Sequence, residues 1–292
     1  MTAFEKNTTT PLAAFCFAAL LLSSPNLVRT EEVIDATTRG PENGALVIVG
    51  GGYIPQPIFD RFFELAGGKD APLVVIPTAQ EGEGFRADGR SIQMFRQQGA
   101  TDVTMLHTRD REVADSDAFI EPLTKAKAIW FTGGRQWRLV DSYLGTKTEK
   151  AIHAVLERGG VVGGSSAGAT IQGSYLVRGA REGNHIMMAP GYEEGFALLQ
   201  NAAIDQHLLA RQREKDLLPV IERFPKLLGV GIDEGTALVV QGTQAEVIGA
   251  SKVYIYDIAR KDTLEDAFYL PLEPGTQFDL EKRTILEVEQ AP

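Results

Sequence analysis

From residue 45 the chain alternates short apolar runs with amphipathic stretches, and three of the apolar runs end in paired or tripled glycines. Strands are expected at 45–49, 72–76, 102–106 and 126–132, and the continuous apolar stretches in the first, second and fourth are how strands buried on both faces read. Helical patterns separate them at 58–65, at 85–98 before Gly99, and at 147–158 before Gly159-Gly160. Strands alternating with helices imply a parallel sheet covered on both faces. Such sheets place their sites beyond the carboxyl ends of the strands. The glycine turns at 50–52, 133–134 and 163–164 fall there. Beyond residue 228 the pattern becomes antiparallel, with strands expected at 231–241 and 245–256.

The 292 residues suit one large α/β domain, and the net charge of −10 carries no dense Lys/Arg block. A nucleic-acid partner is therefore not expected. Cys16 is the one cysteine, and the four histidines, His107, His153, His185 and His207, lack metal-ligand spacing. Neither a metal nor a cofactor is expected. At the N-terminus, Lys6 precedes an apolar run at 12–22, too short to span a bilayer but suited to the core of an export signal. The expected organisation is a signal peptide and leader at 1–30, a linker at 31–44, and a single α/β domain at 45–292, secreted or periplasmic.

Gly164-Ser165-Ser166-Ala167-Gly168 matches the G-x-S-x-G turn, with Val161-Val162 as the strand before it and 167–172 as the helix after it. The turn must be sharp and its neighbours small, because it lifts one strained hydroxyl into the open. The register selects Ser166 as nucleophile. The alternative reading is a glycine turn that packs a helix tightly on the sheet. A serine needs a base. His207 follows Ala203-Ile204 and sits among Asp205, Gln206 and Arg211, as at a strand end that delivers polar groups to a site. A helix is expected from there to Phe224, with His207 and Arg211 on one face. The carboxylate that orients the histidine is open between Glu182, Asp205 and Asp233-Glu234. Oxyanion donors are expected from Ala167 and from Gly134 of the Gly133-Gly134 turn.

Phe131-Thr-Gly-Gly-Arg-Gln136, Gly163-Gly-Ser-Ser-Ala-Gly-Ala169, Ile204-Asp-Gln-His207 and Gly231-Ile-Asp-Glu-Gly-Thr-Ala237 occur in this order. Together they resemble the cyanophycinases and their relatives in peptidase family S51, over about residues 45 to 257. The resemblance implies a flavodoxin-like α/β fold, akin to class I glutamine amidotransferases, with an antiparallel C-terminal portion. It implies a Ser166–His207–Glu182 triad and a peptide or cyanophycin-like substrate. It places substrate-binding positions at Gln136, Asp205, Gln206, Arg211 and Arg213, with Arg213 the readier of the two arginines to be only a solvated surface residue. The implied activity is a serine exopeptidase acting on β-aspartyl linkages, with release of β-aspartyl-arginine dipeptides. A homodimer is left open.

Two departures bear on the substrate. Gly-Ser-Ser-Ala-Gly stands where cyanophycinases commonly carry Gly-Thr-Ser-Ala-Gly, and Arg135 stands where many members have an acidic residue. Two other readings compete: an aspartyl or isoaspartyl dipeptidase, and a nucleotide-binding module built on Ile48-Val-Gly-Gly-Gly52. That loop lacks the full dinucleotide fingerprint and a P-loop lysine.

Overall fold

The computed structural model describes residues 37–82, 85–86, 88–260 and 269–286, all within the unit Ala36–Pro292. The apolar run at 12–22 and Cys16 lie outside the described residues. In chain order the elements are β1 (Ala45–Val49), α1 (Gln56–Ala66), β2 (Leu73–Ile76), α2 (Arg90–Gln97), β3 (Val103–Met105), α3 (Arg111–Ala114), α4 (Asp117–Lys125), β4 (Ala128–Phe131), α5 (Trp137–Tyr143), α6 (Lys147–Glu157), β5 (Val161–Ser165) and α7 (Ala167–Thr170). Then follow β6 (Gly173–Tyr175), β7 (Leu199–Gln206), α8 (Leu218–Arg223), β8 (Leu228–Ile232), β9 (Thr236–Gln241), β10 (Gln244–Gly249), β11 (Val253–Tyr256), β12 (Tyr269–Leu272), β13 (Gln277–Asp279) and β14 (Thr284–Ile285).

The strands form two sheets. In the larger, the order is β14-β13-β10-β9-β1-β5-β4-β2-β3. Its β1-β5-β4-β2-β3 half is parallel, and β9 joins β1 antiparallel. This is the flavodoxin-like, amidotransferase-like α/β architecture expected from the sequence. The smaller sheet runs β12-β11-β8-β7-β6, parallel from β6 to β8 and antiparallel beyond.

Strand pleating divides the core. Leu46 and Ile48 of β1 enter one apolar cluster, while Ala45, Val47 and Val49 enter another on the opposite face. On the second face, Phe59, Phe62 and Phe63 of α1 and Phe95 of α2 surround Trp130, with Phe62 edge-on to it at 5.1 Å. Gly163 makes room for this packing: a Cβ there would stand 2.4 Å from the Trp130 ring.

The C-terminal strands differ from the sequence expectation. Residues 231–241 and 245–256 are not two long strands. Each breaks in its middle, at 233–235 and at 250–252, and the halves join different sheets. The cause is the polar pair Asp233-Glu234 followed by Gly235 at φ +67°, opposite Gly249 at φ +115°. The helix expected at 85–98 begins only at Arg90, behind Gly89.

The segment after His207 also differs, being a series of turns with a helix only at α8. The Asp233 carboxylate takes the Leu209 and Ala210 N–H groups, and Arg213 N–H donates to Leu208 C=O. Those donors are thereby diverted from a helical ladder.

Candidate active site

Ser166 lies between β5 and α7, at the carboxyl edge of the parallel strands. Its backbone, at φ 57° and ψ −114°, is a conformation that L-residues rarely hold. The turn is held on both sides. Ser166 N–H donates to Val49 C=O at 3.0 Å, and Ser166 C=O accepts from Ala169 and Thr170 N–H. The glycines are there for close approach. A Cβ on Gly164 would meet the Gly168 carbonyl oxygen at 2.2 Å, and one on Gly168 would meet the Phe131 carbonyl at 2.3 Å. The turn is therefore both a tight helix-on-sheet contact and a platform for an exposed hydroxyl.

His207 directly follows β7, with φ at 56°. Its Nε2 lies 2.9 Å from Ser166 Oγ, and its Nδ1 lies 2.5 Å from Glu234 Oε1. A carboxylate can only accept, so the neutral ring carries its proton on Nδ1 and turns the Nε2 lone pair to the hydroxyl. Burial pushes the His207 pKa down most strongly, the Glu234 carboxylate pulls it up, and the Arg211 and Arg213 charges push it down again. The net shift is downward, so the ring is a neutral acceptor at neutral pH. Ser166, His207 and Glu234 thus form a hydroxyl–imidazole–carboxylate chain able to activate the serine.

Glu234, and not Glu182, is the carboxylate on His207. Glu182 is exposed in the loop after β6, whereas Glu234 sits in the break between β8 and β9. Its neighbour Asp233 is committed elsewhere, to Leu209, Ala210 and Ser251.

The loop 50–52 is the floor of this chain of groups. A Cβ on Gly51 would stand 2.3 Å from His207 Cε1, and one on Gly52 would stand 2.6 Å from Glu234 Oε2. Three successive carbonyls of this loop and its strand each take an N–H from a different part of the site. Val49 accepts from Ser166, Gly50 from His207 at 2.8 Å, and Gly51 from Gly235 at 3.0 Å. The segment weighed as a nucleotide-binding loop instead aligns the three reactive side chains. Sequence reasoning missed this role, although tripled glycine at a strand end signals a close approach.

Across from Ser166, a Cβ on Gly133 would lie 3.2 Å from Ser166 Cβ, and Gly133 lines the cleft beside it. Gly134, at φ +142°, is pressed against Ala79, whose carbonyl oxygen would meet a Cβ at 2.0 Å. Gly133 thus stands against the serine, and Gly134 packs on Ala79. Among the described residues the N–H groups of Gly133, Gly134 and Ala167 donate to no acceptor.

The remaining expected site residues divide sharply. Asp205 is fully buried and pairs with Arg178 in a two-pronged bridge of 2.7 and 2.8 Å. Arg178 also reaches Asp216 at 2.5 Å. Arg213 is buried and donates to the Gln206 carbonyl at 3.0 Å and to the Gln206 side chain at 3.3 Å. Gln136 is buried, its amide donating to Val177 C=O at 2.8 Å. Arg211 is exposed, close enough for its charge to depress His207. The expectation for the two arginines is reversed: Arg213 is the internal one and Arg211 faces solvent. The sequence reading passed over Arg178, although a lone charge in the apolar run 175–180 demands a buried partner. His107 and His153 are held by Thr78 Oγ1 and Phe196 C=O, away from the site.

The profile of Peptidase family S51 matches residues 46–248, a span that contains the whole of this site. A cyanophycinase of Geminocystis herdmanii is 34% identical over 205 residues, 69% of this chain and 75% of that one. A cyanophycinase of Trichormus variabilis is 29% identical over 264 residues, 83% of this chain and 87% of that one. A crystal structure of a peptidase from an acI-B1 Actinobacterium superposes with a TM-score of 0.63 at 24% identity, covering 82% of this chain and 98% of that one, a likeness of fold. With the matched span covering the parallel strands of both sheets and the Ser166 turn, the chain belongs to peptidase family S51 and is a serine-type peptidase.

Proposed function

We propose that the protein is a cyanophycinase-type exopeptidase that works through a Ser166–His207–Glu234 triad. The observation that carries the triad is the continuous Oγ–Nε2 and Nδ1–Oε1 chain at 2.9 and 2.5 Å. The substrate class rests on the cyanophycinase relatives. Release of an intact β-aspartyl-arginine unit fixes which bond breaks: the backbone amide joining the terminal aspartyl unit to the next.

In this reading Ser166 Oγ attacks the amide carbonyl carbon while its proton passes to His207 Nε2. Glu234 stabilises the imidazolium so formed. The developing oxyanion takes hydrogen bonds from Ala167 N–H and from the diglycine turn at 133–134. The C–N bond then breaks, and His207 returns the proton to the leaving amine. Water, deprotonated by the same ring, hydrolyses the acyl-serine. Arg211, exposed beside His207, binds a substrate carboxylate.

The test is turnover of cyanophycin and of α- and β-aspartyl dipeptides by the unaltered protein and by Ser166→Ala. β-Aspartyl-arginine should appear from the polymer with the unaltered protein alone. Cleavage confined to free dipeptides would make it a dipeptidase, and turnover by Ser166→Ala would remove the triad. We also propose that the run at 12–22 directs export. The N-terminal sequence of protein recovered outside the cytoplasm should then begin beyond it.

A further inference from the structure

The cleft of about 560 Å³ that opens on Ser166 and His207 is lined by α2, and Arg211 is not among its lining residues. None of the five positions that the family resemblance assigned to substrate lines it. Its walls are Ile54, Met94 and Trp130 on the apolar side, and Arg90, Gln93 and Gln97 on the polar side. No carboxylate lines it, and with His207 neutral, Arg90 is its one full charge among the described lining residues. Arg90 is exposed, and among the described residues its side chain makes no ion pair or hydrogen bond. By contrast, Asp205, Gln206 and Arg213 spend their polar groups inside the protein.

We propose that Arg90 anchors a second substrate carboxylate on the α2 side of Ser166, making it a specificity-determining residue for the unit across the scissile bond from Arg211. This rests on the cyanophycinase reading. Each unit of such a polymer carries an arginine linked through its α-amino group, and so presents a free carboxylate at the end of a flexible branch. A guanidinium is matched to that group in a bidentate way. Ile54 and Met94 supply apolar surface for the methylene stem beside it. Two units flanking the cut amide then have one cation each, Arg211 and Arg90.

The probe is a two-unit ligand, two β-aspartyl-arginine units joined by the backbone amide. It is titrated calorimetrically into Ser166→Ala so that it stays intact. Two further versions carry an amide in place of the arginine carboxylate on one unit or on the other. Each amide should weaken binding by about threefold to fivefold, the upper end for a charge pair between exposed groups. Adding Arg90→Ala should erase one penalty and leave the other, and Arg90→Lys should restore part of it. Retention of both penalties, loss of both, or no binding of the parent ligand would each overturn the subsite. Tight binding with an Arg90-dependent penalty, but no hydrolysis by the unaltered protein, would sink the proposed activity and leave the subsite standing.

Discussion

His207 is pushed in opposite directions by its neighbours, and the balance sets the pH at which Ser166 is activated. Burial leads and lowers the pKa, Glu234 raises it, and Arg211 and Arg213 lower it. The base must be neutral to act, so kcat/KM should rise with pH through an inflection below the ordinary histidine value of about 6.5 and stay level above it. Removing a nearby positive charge favours the imidazolium. Arg211→Gln should therefore move that inflection upward, the direction expected when a nearby positive charge is removed. A downward move would contradict the arrangement. Glu234→Gln should lower kcat by about 10³–10⁴-fold through loss of the correct tautomer. Glu182→Gln should stay within about twofold, as an exposed position does. Ser166 and His207 were readable because each sits in a local pattern, a turn motif or a polar cluster at a strand end. Glu234 could be kept only as one candidate among several, because its place depends on two sheets meeting and no short-range spacing encodes that.

Among the elements, β1 and the strand breaks matter most. The parallel character of the sheet followed from unbroken apolar runs at β1, β2 and β4, each buried on both faces, while β3 is a part-exposed edge strand. The breaks at 233–235 and 250–252 did not, because apolar character continues on both sides of them. A polar Asp-Glu-Gly inside an otherwise buried run was the available signal. Gly51 tests the floor beneath the histidine. Gly51→Ala adds a Cβ 2.3 Å from the ring, at a φ of +117°. Displacement of the ring by an ångström should cost on the order of 10²-fold in kcat. Circular dichroism should show the fold retained. Wild-type kcat in that variant would mean the ring does not rest on residue 51.

Across the whole molecule, the buried Arg178–Asp205 pair and Asp216 tie the segment after β6 to β7 and to the turns before α8. Removing one partner strands a charge in the interior. Arg178→Ala should destabilise folding by roughly 3–5 kcal/mol in urea titrations, and Arg178→Met with Asp205→Leu by clearly less. An Arg178→Ala midpoint equal to that of the unaltered protein would show that the pair is not holding the smaller sheet.

The carbonyls of Val49, Gly50 and Gly51 act as a three-tooth index, engaging the backbone of Ser166, of His207 and of Gly235 beside Glu234. The mostly exposed stretch at 181–191, between the serine and the histidine, makes none of these three bonds. It is free to lengthen, shorten or change sequence, as a lineage would require in moving to a new substrate, while the chemistry stays in register. One residue inserted between 49 and 52 should do what a much longer insertion at 181–191 does not, and put all three groups out of step together.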